Sequence, residues 1–206
     1  MTREELLSDL AYARTLAEEG RQAPLLGGAY LVLWGVLSVA AFLGQWALIT
    51  GHAPRLDGAA FGLLWGGFAE LGVTGTILLA RRTRTQPGLA SIGVRAEIAV
   101  WDGARMALSA IAIGCILRMV LEPDAQAANA IMGGVFAIYG AALYGSARLS
   151  QQYWMGLYAW FSIAAAVLLC AFANQPWAYL VAAAGSGLVL IAPGFILLKR
   201  EPSAIV

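Results

Sequence analysis

The chain is dominated by long apolar runs interrupted by few charges, such as LLGGAYLVLWGVLSVAAFLGQWALIT at 25–50. A run of this length cannot be covered by a water-soluble surface. A hydrocarbon layer of about 30 Å requires roughly 20 apolar residues in a helix, which satisfies its own backbone polar groups. Composition agrees: 60% of the residues are hydrophobic and 12% charged, whereas soluble domains carry about a quarter charged residues. The sequence therefore predicts an all-α polytopic membrane bundle with six spans, approximately Leu25–Thr50, Gly58–Ala80, Ala96–Leu121, Ala127–Ala147, Gln152–Ala173 and Trp177–Leu198. The third is the least regular, because it contains Glu97, Asp102, Arg105 and Arg118.

Orientation follows from the cations. Ten Lys and Arg fall in the N-terminal segment, the loops after spans two and four, and the tail. Arg55 and Arg118 lie at the opposite ends, and Arg105 lies within a span. The positive-inside rule then places both termini in the cytoplasm and the protein in the cell's inner membrane. Trp46 and Trp177 are expected at the outer interface, and Tyr153 and Trp154 at the inner one.

Residues 1–24 form a separate cytoplasmic segment, 25–198 the transmembrane domain and 199–206 a short tail. Thr2 and Glu5 have the spacing of a capping box, and Leu6, Leu10, Ala13 and Leu16 recur at helical intervals opposite Asp9 and Glu19. The segment is acidic and amphipathic rather than a basic signal sequence. It is expected to lie on the membrane or the protein's inner face, or to dock a cytosolic partner. The basic loop Arg81–Arg95 fits anionic headgroups or topology determination.

Glycines supply close-packing positions. Gly62 and Gly66 in span two, and Gly133, Ala137, Ala141 and Gly145 in span four, predict tight crossings within the chain or in a homo-oligomer. Three hexads, Tyr30–Gly35, Phe61–Gly66 and Val135–Gly140, hint at internal repetition but carry no distinctive signature. Pro193-Gly194 should kink or interrupt span six.

The intramembrane charges are the candidate site, because such groups are costly unless they face an interior or a partner. Glu70 lies eleven residues before Arg81, and Arg105 ten residues after Arg95. At 1.5 Å per residue both stand near mid-membrane, which predicts an ion pair across the hairpin. Asp102, Arg105 and Ser109 share one arc of span three. Glu70 and Thr74 continue the glycine row of span two. Asn129 and Gln45 could extend the network. Two readings stay open: a fixed polar network, or a ligand or proton-coupling site of a small-solute or ion transporter or channel. A non-enzymatic sensor or interaction protein is the alternative. Glu97, nearer the inner end, is expected to reach water or Arg95.

Several chemistries lack their residues. His52 is the one histidine, so multi-histidine metal and haem sites are not expected. Cys115 and Cys170 form no C-x-x-C motif, and Gly185-Ser186-Gly187 has no nearby base. No nucleotide fingerprint is present, and a net charge of +1 disfavours nucleic acid as a partner. Neither catalysis nor a cofactor is expected.

Overall fold

The computed structural model describes residues 6, 7, 9, 10, 12, 25, 27–52, 59–84, 92–121, 129 and 131–200, without the side chains of 92, 119 and 120. Most of the predicted N-terminal helix, including its capping box, and residues 85–91 of the basic loop lie outside this set. Leu6, Leu7, Leu10 and Tyr12 are helical and exposed.

Six helices make up the body, and no strand occurs among the described residues. They are α1 (Gly28–Ile49), α2 (Ala59–Thr83), α3 (Ile92–Leu121), α4 (Ile131–Leu149), α5 (Met155–Ala171) and α6 (Ala178–Arg200). Four are long and apolar enough to cross a bilayer: α1, α2, α6 and the Gly93–Arg118 stretch of α3. The charge-bearing third helix is the longest of all, at 30 residues, whereas α4 and α5 have 19 and 17.

Side-chain pairs show that neighbours run antiparallel. Trp34 meets Thr76 and Gln45 meets Trp65 between α1 and α2. Gly28 lies against Leu198 and Gly35 against Ile191 between α1 and α6. Gly133 meets Cys170 and Gly140 meets Ile163 between α4 and α5, while Val100 and Ile111 of α3 lie by Gly145 and Gly134 of α4. The packing order is α2–α1–α6–α5–α4–α3. Helices α2 and α3, consecutive in sequence, therefore flank the bundle and are not packing neighbours. Only 6% of the apolar stretch of each is buried, against 44% for α6.

The tight crossings lie partly where the glycine spacing predicted them. A Cβ on Gly28 would stand 2.8 Å from the Leu198 nitrogen and 2.9 Å from the Gly194 oxygen, so α1 and α6 touch backbone to backbone. Gly133 and Gly140 do the same for α4 and α5, where a Cβ on Gly140 would lie 3.1 Å from the Ala159 oxygen. Gly145, assigned to the same row, instead faces Val100 of α3. Gly62 and Gly66 make no crossing among the described residues, since a Cβ at either would meet none of them within 4 Å.

Helix α6 is interrupted one turn before Pro193. Proline has no N–H and its ring crowds the preceding turn. The helix widens into a π turn over Gly187–Ile191, in which the Ala192 N–H reaches the Gly187 carbonyl. Gly35 of α1 makes room for this wider turn, with Leu190 Cβ 3.0 Å from the position its own Cβ would take.

Candidate functional site

The helix registers fix the depth of the predicted charges. The Trp34–Thr76 and Trp65–Gln45 pairs set Glu70 opposite Ala40. The α1–α6 contacts continue that level to Gly185 and Ser186, and the Gly185–Ala165 contact carries it to α5. From Ala165, the α5–α4 contacts lead to Phe136–Ile138 and the α4–α3 contacts from there to Ala107–Ser109 of α3, a few residues from Arg105. Glu70 and Arg105 thus lie within about one helical turn of the same level. Each also lies thirteen residues from one end of its helix, Thr83 and Ile92 respectively, and these are the ends that carry the arginines of the connecting segment.

They do not share a face. Helix α2 meets α1 through Trp65, Phe68, Gly72 and Thr76: Trp34 covers Gly72 and stacks edge-on against Phe68 at 5.4 Å. At 100° per residue, Glu70 lies about 200° round the helix from Phe68 and from Gly72. It is exposed, with Gly62, Gly66, Val73, Thr74 and Ile77 on the same outward side. The pair expected across the hairpin is not formed. Arg105 instead bonds Asp102, one turn back on its own helix, and the two side chains are 54% and 48% exposed. Ser109 is exposed beside them. The reason lies in the packing: α3 turns Val94, Ala104, Leu108 and Ile111 towards the bundle, leaving its polar arc outside.

Glu97 corrects a second expectation. It is 4% exposed, so it does not reach water. Its carboxylate lies against Gly27 at the start of α1, where a Cβ would meet the Glu97 Cδ at 3.0 Å. That helix start presents free backbone N–H groups and the positive end of the helix dipole, which suit a carboxylate. Its position near the start of α3 signals depth but not which way the side chain turns.

Apart from the Glu97 carboxylate, the polar groups inside the bundle among the described residues are hydroxyls and amides. Near the level of Glu70, the buried Tyr139 hydroxyl of α4 lies beside the buried Ser38 of α1. Ser162 of α5 donates to the Phe136 carbonyl of α4 at 2.6 Å. Ser186, fully buried on α6, has no hydrogen-bond partner for its Oγ among the described residues. Nearer the other end, Trp65 Nε1 donates to Gln45 Oε1, while Tyr179, beside Gln45, donates to Asn129, whose Nδ2 donates to Asn174 at 3.2 Å. Asn129 and Gln45 therefore lie about the same tyrosine, apart from Glu70 and Arg105. Tyr139, Tyr179 and the serines escape a search based on charge. Their only sequence signal is a hydroxyl within an otherwise apolar run.

The two ends differ chemically. Arg81, Arg82, Arg84, Arg95, Arg148, Lys199 and Arg200 gather at one, and Arg118 stands near the other. Arg148 lies over the rings of Tyr144 and Tyr153 at 5.5 and 5.8 Å, and Arg200 over Trp154 at 5.1 Å. At the far end Trp46 stacks on His52 and Phe172 packs on Trp177. No group of three potential metal-ligating side chains occurs among the described residues. Comparison with protein-family models, curated proteins and solved structures finds no match.

Proposed function

We propose that the protein is a six-span membrane protein of the cell's inner membrane, with its basic end and both termini in the cytoplasm, that acts through lateral protein contacts in the bilayer. One observation carries this reading. Glu70, Asp102 and Arg105 stand at mid-depth on the outward faces of the two least buried helices, beside the open Gly62–Gly66 row. A charge at the bilayer centre costs about 2.5–3.5 kcal/mol on insertion scales, so such faces are expected to meet protein rather than lipid. Orientation rests on the gathering of seven described cations at one end. No catalytic step is assigned. The N-terminal helix remains a second, cytosolic docking element, and deleting residues 2–20 should then abolish partner capture without loss of insertion.

Oxygen accessibility of a spin label tests the lateral contact directly. In a chain with Cys115 and Cys170 replaced by alanine, Gly66→Cys and Ile77→Cys are compared in native membranes with Leu157→Cys and Val167→Cys on exposed positions of α5. The α2 positions should be shielded. Accessibility equal to the α5 controls would refute the interaction reading.

Transport is the second reading, favoured by the level belt of Ser38, Tyr139, Ser162 and Ser186. Flux of small solutes or ions into proteoliposomes should then fall with Glu70→Gln, Asp102→Asn or Arg105→Gln if assembly completes the polar site. Flux insensitive to all three would remove that role for the charges.

A further inference from the structure

The flanking helices carry charges that fit each other, though not within one copy. Glu70 brings a carboxylate to the outward face of α2, within about one helical turn of the depth of Arg105, which pairs with Asp102 on α3. A guanidinium offers five N–H donors in a planar fork, so one carboxylate on its own helix leaves donors for a second. The α2 face around Glu70 is lined by Gly62 and Gly66, at which an added Cβ would meet none of the described residues, so another helix backbone can come close. Helices α2 and α3 also run in opposite senses, as every packed neighbour pair in this bundle does.

We propose that α2 of one copy docks on α3 of a second copy, so that Glu70 binds the neighbour's Arg105 at the middle of the membrane. This rests on the lateral-contact reading above and names its partner. A second copy is the occupant because this chain itself supplies the complementary cation at the matching level, whereas an unrelated protein would have to bring its own. Two copies related about an axis normal to the membrane keep each helix at its depth. If both α2–α3 contacts close within one pair, the result is a twofold dimer. If each copy uses α2 on one side and α3 on the other, a ring results.

The register of Glu70 beside Arg105 sets Gly66 level with Ser109. Two differently tagged full-length chains, both with Cys115→Ala and Cys170→Ala, are co-expressed, one carrying Gly66→Cys and the other Ser109→Cys. Mild oxidation in native membranes should yield a mixed-tag disulfide dimer, and neither single-cysteine chain alone should give the α2–α3 product. Adding Glu70→Gln to the Gly66→Cys chain should lower the dimer yield about ten-fold or more. Combining Glu70→Arg on one chain with Arg105→Glu on the other should restore it better than either reversal alone, which separates a lost contact from a misfolded variant.

Absence of the mixed dimer while both chains insert at normal levels would overturn the proposal, as would a yield indifferent to Glu70→Gln. Shielding of the α2 labels without a mixed dimer would leave the lateral contact standing and assign it to a different protein. Labels as accessible as those on α5 would remove both.

Discussion

The contact between α1 and α6 makes a quantitative prediction. Gly28→Ala places a Cβ 2.8 Å from the Leu198 nitrogen and 2.9 Å from the Gly194 oxygen, both backbone atoms that cannot rotate away. Ordinary contact begins near 3.4 Å, so α6 must withdraw by about 0.6 Å. A radial gap of 0.5–1 Å forfeits roughly a quarter to a half of each dispersion contact it opens. Leu25, fully buried just before the helix, limits escape by sliding the start of α1. Forced overpacking of this kind costs about 1–3 kcal/mol. Gly103→Ala and Gly114→Ala supply the control, because a Cβ at either meets nothing within 4 Å, and alanine gains roughly 0.5–1 kcal/mol over glycine in a helix. Reversible unfolding in mixed micelles titrated with sodium dodecyl sulfate should separate the two classes, with Gly28→Ala destabilised and the α3 variants neutral or stabilised. If Gly28→Ala unfolds at the same detergent fraction as Gly103→Ala, the backbone contact between α1 and α6 is refuted.

Other residues give sharper local tests in the same titration. Glu97→Ala should lose about 1–3 kcal/mol, because a buried polar contact and its packing against Gly27 go together, whereas exposed Arg95→Ala should change little. Ser162→Ala should cost about 0.6 kcal/mol, and at most roughly 1.7, the measured span for hydrogen bonds between membrane helices. Equal stability of Ser162→Ala and wild type across replicate titrations would place the Phe136 bond at the bottom of that span. Tyr179→Phe should leave the basic end untouched but raise the mobility of a label placed on Gln175, next to Asn174, since it removes the hydroxyl that holds Asn129. Unchanged label mobility would show that the network is not held through the hydroxyl.

Some of the site was legible in single residues. Counting from the basic ends set Glu70 and Arg105 at one depth, and the helix registers carry that level round the bundle to within about one helical turn. The break at Pro193 was also legible, because a ring without an N–H must disturb the turn before it, although its form as a π turn over Gly187–Ile191 depends on room beside Gly35. The ion pair across the α2–α3 hairpin was not. Adjacent spans in sequence were taken as neighbours in space, but α1 intervenes on one side by packing Trp34 and Gly35 against α2 and α6, and α4 holds α3 on the other.

By itself the sequence determined six apolar helical segments, their approximate limits, the depth of their charges and the collection of cations at alternate ends. Those properties depend on length, composition and the cost of unpaired backbone in hydrocarbon, all of which are local. Tertiary structure decided which side of each helix turns inward: Glu97 into the bundle, Glu70 out of it, and the hydroxyls of Tyr139, Ser162 and Ser186 to its centre. In water an apolar stripe would have declared the buried face. In a bilayer, lipid tails are as apolar as the core, so facing is settled by shape, through Gly28 against Gly194 and Trp34 over Gly72, contacts between residues far apart in the chain.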